Sequence, residues 1–285
     1  MKLKKIASVI VSYMIAGIIL TGCGGEDNSK SDATDKDNIK IGMISNLNAS
    51  EQKMNEILKK IDKKSEIKIP MHATTYYDNL NSMLMGMDSN SIDEISTYQS
   101  VANYLKAKNA RVEELQSHTF HLRDSFCFAL RDDEKELKEE INKAVGEMAL
   151  DGTLEKLQKE YITDLKKNSD PPAVEFEKFD GADTIKVAIT GDLPPLDLIL
   201  ADGKAAGFNT ALLAEIGKRL HKNIELVQVD GAARGSALSS KKVDVVFWAI
   251  LPIGGERPSD IDKPSGVEFS KPYFTDEIVH LGNKK

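Results

Sequence analysis

A chain of 285 residues with a formal charge of −7 at pH 7 is long enough for one body of two packed lobes and short for two such bodies. Its 38 Lys and Arg are scattered and outnumbered by 45 Asp and Glu, which argues against a nucleic-acid-binding surface. No Gly-rich phosphate loop, HExxH or GxSxG motif is present, so the sequence carries no signature of a phosphate cofactor, a zincin or a serine hydrolase, and no cofactor is expected.

Residues 1–22 open on Lys2, Lys4 and Lys5, continue as an apolar run from Ile6 to Leu20, and lead into Leu20-Thr21-Gly22-Cys23. A basic front, a short apolar span and small residues before a cysteine predict a lipoprotein signal over residues 1–23, in which Cys23 receives a diacylglycerol and becomes the mature N-terminus. A plain transmembrane anchor is the alternative, and the span is short for one. Residues 24–38 (GGEDNSKSDATDKDN) lack apolar periodicity and predict a disordered tether standing a folded body off the membrane.

The body begins with the alternating run IKIGMIS at 39–45, a predicted strand, followed by a helix over 50–61 with Asn48 or Ser50 as its N-cap. A second strand is expected over 67–73, a helix over 78–87, a third strand over 91–96 and a helix over 98–108. Next comes the apolar run DSFCFAL, where Cys127 reads as a small buried hydrophobe. With Cys23 taken by lipid, no disulfide is available. Helices follow over 135–148 and 153–161, and residues 163–183, with Pro171-Pro172 and alternating charge, read as a linker.

From Thr184 the pattern is again strand and helix. Residues 185–189 are apolar and β-branched, and the loop after them carries Gly191 and Pro194-Pro195. Phe208, Ala211, Leu212, Leu213, Ile216 and Leu220 recur at helical spacing. A strand over 223–229, a short helix over 232–239 and the near-continuous apolar run VDVVFWAI at 243–250 complete the unit. Strands alternating with helices, and a third strand apolar on both faces, predict an α/β fold with a mostly parallel sheet covered on both sides. The ligand crevice of such a sheet lies at the loops leaving its strands' carboxyl ends, here 191–202, 230–234 and 251–264.

The segments GDLPPLD, ADGKAAGFNTALLAEIGKRL, ALSSKKVDVVFWA, GGERPSDID and FSKPYFTDE, in that order, resemble the first lobe of the type II periplasmic solute-binding proteins, specifically the family 3 group serving ABC importers of polar amino acids and related solutes. The earlier stretch NLNSMLMGMDSNSIDEISTYQSVANYL, and the later DGTLEKLQKEYI, resemble the second lobe and the return to lobe one. The resemblance implies a two-lobed fold with lobe two over 39–117, a hinge crossing and the closing part of lobe one over 118–162, and the opening part of lobe one over 184–285. That order differs from the family's and implies a circularly permuted chain; tandem incomplete copies, or lobes exchanged with a neighbouring molecule, are the alternatives.

The same resemblance implies that Arg257 grips a ligand carboxylate, a task suited to the guanidinium fork; pairing with Asp260 or Asp262 at the surface is the bland reading. Asp192 and Asp197 flank the cleft-facing Pro-Pro loop and either accept a ligand's donors or are merely solvated. Trp248 stacks on a ligand or fills the core. Asn48 and Ser50 bind an anion at a helix start or simply cap it. Tyr98 is expected in the turn after the third strand of lobe two, facing the cleft or only opening a helix. His118 and His121 lack a third ligand, and no metal site is expected.

Departures from the family pattern bear on the substrate. Gly254 stands where amino-acid binders have Thr or Ser, Tyr98 where they have an Asp for the α-ammonium, and Ala211 where an acidic residue is usual. The expected function is nevertheless a membrane-tethered binding protein, held through the lipid on Cys23, that closes two lobes on a small polar solute, an amino acid or related carboxylate, and delivers it to an ABC permease and its ATPase. Two other readings stand beside it. One is a ligand-independent sensor or interaction protein on the same fold. The other is a dehydratase-like enzyme, for which no positioned acid–base pair is evident.

Overall fold

In the computed structural model the described residues are 39–44, 56, 73–108, 111–115, 123–250 and 264–284. The first part of the body forms β1 (Lys40–Ile44), β2 (Ala73–Tyr77), α1 (Leu80–Asp88), β3 (Glu94–Tyr98), α2 (Gln99–Ala107) and β4 (Val112–Glu114). A long strand, β5 (Arg123–Arg131), leads into α3 (Lys135–Leu150) and α4 (Thr153–Gln158), which continues as a wide π-helical turn, Lys159–Thr163. The second part contributes β6 (Thr184–Ile189), β7 (Asp192–Leu193), β8 (Asp197–Ile199), β9 (Ala205–Ala206), α5 (Phe208–Leu220), β10 (Asn223–Gln228), α6 (Arg234–Ser239), β11 (Val245–Ile250), β12 (Val267–Phe269) and β13 (Phe274–Asn283).

These strands form one continuous path, β10-β6-β11-β5-β13-β3-β1-β2, with β12 beside β5 and β4 beside β13. The path consists of two half-sheets with the same internal order. In each, three parallel strands lie with the first in the middle, β2-β1-β3 in lobe two and β10-β6-β11 in lobe one. Each trio is then closed by an antiparallel strand, β13 on β3 and β5 on β11. β5 and β13 also pair with each other, from Phe126 opposite Phe274 to Arg123 opposite Glu277, and so join the halves. The fold class is the expected α/β arrangement, with antiparallel crossing strands added to the parallel trios.

The central strand β11 is apolar on both faces. Along β11, Val245, Phe247 and Ala249 enter the main core while Val246 and Trp248 enter a second cluster with Cys127, Ala188 and Leu238. The period-2 alternation of a strand sends neighbours to opposite faces, and each fully buried large side chain contributes about 1.5–3 kcal/mol by leaving water. On α5 the buried Phe208, Ala211, Leu212, Leu213 and Ile216 occupy the predicted stripe. The helix begins at Gly207, whose φ is 104° and whose added Cβ would lie 2.7 Å from the Leu196 carbonyl oxygen, so only glycine fits there.

One expected strand is displaced. Of the second, expected over 67–73, residues 67–72 lie outside the described residues; the described part, Ala73–Tyr77, carries β-branched and aromatic residues suited to pairing with β1. The third starts at Glu94, not at residue 91. A turn around Asn90 (φ 57°) intervenes, and the Ser91 and Ile92 amides bond the Gly86 carbonyl, which packs buried Ile92 against α1. No described helix is long and apolar enough to cross a membrane.

Candidate functional site

Four elements bring polar side chains to the place where the two halves meet. From lobe one come the loop after β6 and the start of α6; from lobe two comes the β3–α2 junction; the fourth is the contact between β5 and β13. The first loop is tied by Asp197, which is 5% exposed and accepts hydrogen bonds from the Thr190 amide (3.0 Å) and hydroxyl (3.2 Å) through Oδ2. Its Oδ1 has no hydrogen-bond partner among the described residues. Burial holds the carboxyls of both Asp197 and the partly buried Asp192 above the ordinary range.

Arg234 opens α6 and is 2% exposed. Its Nε donates to the Gly231 carbonyl and one terminal nitrogen donates to the Phe247 carbonyl, both at 3.0 Å, while the guanidinium lies 5.7 Å from the centre of the Trp248 ring. Desolvation lowers its pKa to about 10, opposed by Tyr98, Asp197 and Asp192. The cation is thus fixed by its own loop and by β11 while acting electrostatically on a tyrosine of the other lobe. Trp248 is 8% exposed and packs on Phe269 at 5.9 Å.

Tyr98 ends β3 and stands at the N-cap of α2, but its side chain makes no capping bond there. Its hydroxyl instead donates to Asp124 Oδ2 at 2.7 Å, and its ring meets Phe126 edge-on at 4.9 Å. A crossing strand supplies the missing cap: Asp276 Oδ2 accepts from the Ser100 amide at 3.1 Å, a carboxylate set against the positive end of the helix. Asp124 and Asp276 are partners directly across the strand pair. Burial raises the Asp124 pKa to about 6 against the opposing Tyr98 bond, with Asp276 adding to the rise. Burial also raises Asp276.

The structure therefore gathers Asp192, Asp197, Trp248 and Tyr98 around the junction, all four already engaged within the protein, Asp192 with Thr190. Arg257, Asn48, Ser50 and Cys23 lie outside the described residues, as do His118 and His121. Sequence reasoning missed Arg234, Asp124 and Asp276. The one available signal was Arg234 itself, the lone charge in the small-residue run GAARGSALSS. The chemistry on offer is recognition through fixed donors and acceptors: one buried cation among several carboxyls. Among the described residues no group of three or more His, Cys, Asp and Glu is placed to hold a metal ion.

Residues 185–285 match the model of the family described as bacterial extracellular solute-binding proteins, family 3. No curated protein sequence matches the chain. Among solved structures it is similar to the zinc-bound ligand-binding component of an ABC-type import system from Staphylococcus aureus, at 12% identity and a TM-score of 0.45, covering 87% of this chain and 67% of that one. It is similar also to the VFT2 domain of Bordetella pertussis BvgS (9%, 0.42, 88% and 82%). A third likeness is to a nutrient-binding protein from Burkholderia cenocepacia bound to methionine (10%, 0.38, 86% and 85%).

Proposed function

We propose, from the match of residues 185–285 to the family 3 extracellular solute-binding proteins, that this chain is the substrate-binding component of an ABC importer and captures a small polar solute between its two lobes. The observation that carries the reading is the meeting of strand ends: the loop after β6, the start of α6 and the end of β3 all leave the carboxyl ends of parallel strands, and Arg234 of one lobe acts on Tyr98 of the other. A solute touching both sides stabilises the closed arrangement over the open one by those added contacts, which is the differential affinity that ligand-driven closure requires.

The solute is an amino acid or a related carboxylate, gripped through Arg257. Tyr98, with its hydroxyl given to Asp124, leaves a partner for an α-ammonium to be found elsewhere, a role this reading gives to Asp192. The folded body is held at the outer face of the cell membrane by lipid on Cys23, and the chain order is a circular permutation of the family's, lobe two first. Two half-sheets of equal strand order, each closed by a strand from the far side of the crossing, support that order.

Thermal-shift screening of the full chain against amino acids, dicarboxylates and metal ions tests the reading. A binder present at about 100 times its Kd adds about 2.7 kcal/mol to the folded state and raises Tm visibly; Arg257→Ala removes that rise. Commitment of Tyr98, Asp197 and Trp248 to partners within the protein favours a second reading, a ligand-independent sensor. Absence of any shift, together with absence of a retained small molecule in native mass spectra of protein from its own host, selects the second.

A further inference from the structure

The two strands that join the lobes touch at one short antiparallel contact, and there Asp124 of β5 stands directly opposite Asp276 of β13. Both are buried, at 4% and 8% exposure. Opposed residues of an antiparallel pair carry their side chains on the same face with Cβ atoms about 4.5–5.5 Å apart, and like charges there are destabilising. The oxygens are accounted for except one. Asp276 Oδ2 takes the Ser100 amide and Oδ1 takes the Glu277 amide at 2.9 Å, while Asp124 Oδ2 takes the Tyr98 hydroxyl. Asp124 Oδ1 is buried without a hydrogen-bond partner among the described residues.

The surrounding groups supply little countercharge. From β3 the pair meets the neutral Tyr98 hydroxyl, and from α2 the Ser100 amide. On β13, Glu277 adds negative charge beside Asp276 and is itself paired with Arg123 of β5. Arg234 of α6 acts on Tyr98, and its other carboxyl neighbours are Asp192 and Asp197. Two ionised carboxylates here combine like-charge repulsion with a buried acceptor lacking a donor. One proton on Asp124 removes the like-charge repulsion and lessens the cost of burying the carboxyl.

We propose that Asp124, opposite Asp276, carries a proton in the folded chain and that the two form a pH-sensitive latch on the crossing between the lobes. With the proton in place, the pair fastens the N-terminal end of α2, and lobe two with it, to the crossing strands. When the proton passes to solvent water, the two charges push β5 and β13 apart and the lobes separate more easily. The sign follows from Asp124, whose folded-state pKa of about 6 lies above its ordinary value of 3.8: the stabilisation is complete below the ordinary value and is lost as pH rises through about 6. The latch needs no solute and stands whether or not the transport reading holds.

Thermal unfolding of the solute-free full chain between about pH 5 and about pH 8 tests the latch. Tm of the wild type should fall as pH rises through about 6, and Asp124→Asn, a neutral isostere of the protonated acid, should flatten that fall. Asp276→Asn keeps an acceptor for the Ser100 amide and removes the like charge, so the midpoint should move to lower pH. The wild type should also show the infrared carbonyl band of a protonated carboxyl at about pH 5, missing in Asp124→Asn, and a larger radius of gyration by solution scattering at about pH 8. An unchanged slope in Asp124→Asn overturns the proposal. Should that variant not fold, an unmoved midpoint in Asp276→Asn overturns it, as does a wild-type radius of gyration independent of pH.

Discussion

β11 and β3 hold the same place in their half-sheets, each between the leading strand of its trio and the antiparallel crossing strand. They are made of different material. β11 is VVFWAI, apolar toward both faces, and lies between two clusters of buried residues. β3 is EISTY; Ile95 alone of its residues is a fully buried apolar side chain, while Glu94 meets His280 of β13 at 3.1 Å and Tyr98 meets Asp124. One position in the fold is thus held by area removed from water and the other by paired polar groups across a crossing strand. Burial of area is indifferent to pH and non-directional, whereas buried polar pairs depend on protonation and on both partners staying in register. Lobe two is therefore the half whose attachment responds to conditions.

The largest break in that contrast should come from Phe247→Ala. Phe247 is 4% exposed and tilts against Phe128 at 5.6 Å, and its truncation should cost about 3–5 kcal/mol in chemical denaturation, at every pH tested. Next comes Glu94→Ala, which leaves His280 with its carboxylate partner removed and should cost about 1–3 kcal/mol; Glu94→Gln, which keeps an acceptor, should recover part of the loss. Asn79→Ala removes the acceptor of the Ser82 amide at the start of α1, a bond of 2.8 Å, for about 0.5–2 kcal/mol in the same assay.

The smallest effect belongs to a surface pair far from β3. Asp151 accepts from the Thr153 amide at 3.0 Å and from Arg219 at 2.7 Å, and its pKa is lowered to about 2 chiefly by Thr153 and then by Arg219. A depressed carboxyl contributes stability above its ordinary pKa and loses it as pH falls through the folded value. Arg219→Ala should raise the Asp151 titration midpoint measured by NMR with little change in Tm, as expected of an exposed ion pair.

The contrast also explains what the sequence could tell. β11 and α5 are legible because apolar patterning announces them: VDVVFWAI has one polar residue, Asp244, and is apolar from Val245 onward, and Phe208 through Leu220 draws a helical stripe. β3 and its surroundings are harder. A strand is expected over 67–73, and among the described residues the pairing with β1 uses Ala73 and the two threonines and two tyrosines that follow. Asp197, anticipated as a solvated or ligand-facing loop residue, is buried and fastens its own loop through Thr190. Asp124, Asp276 and Arg234 acquire their meaning only from strand register and lobe contact between segments remote in the chain, which no local pattern encodes.

β13 has a consequence for biosynthesis. It is the strand on which β3 and β4 both pair, so the sheet of the lobe translated first remains one strand short until residues 274–283 have left the ribosome. Until then β3 presents an open edge, the kind of nascent surface that invites mispairing with other chains. The longer that edge waits for its last partner, the greater the vulnerability of the chain during synthesis.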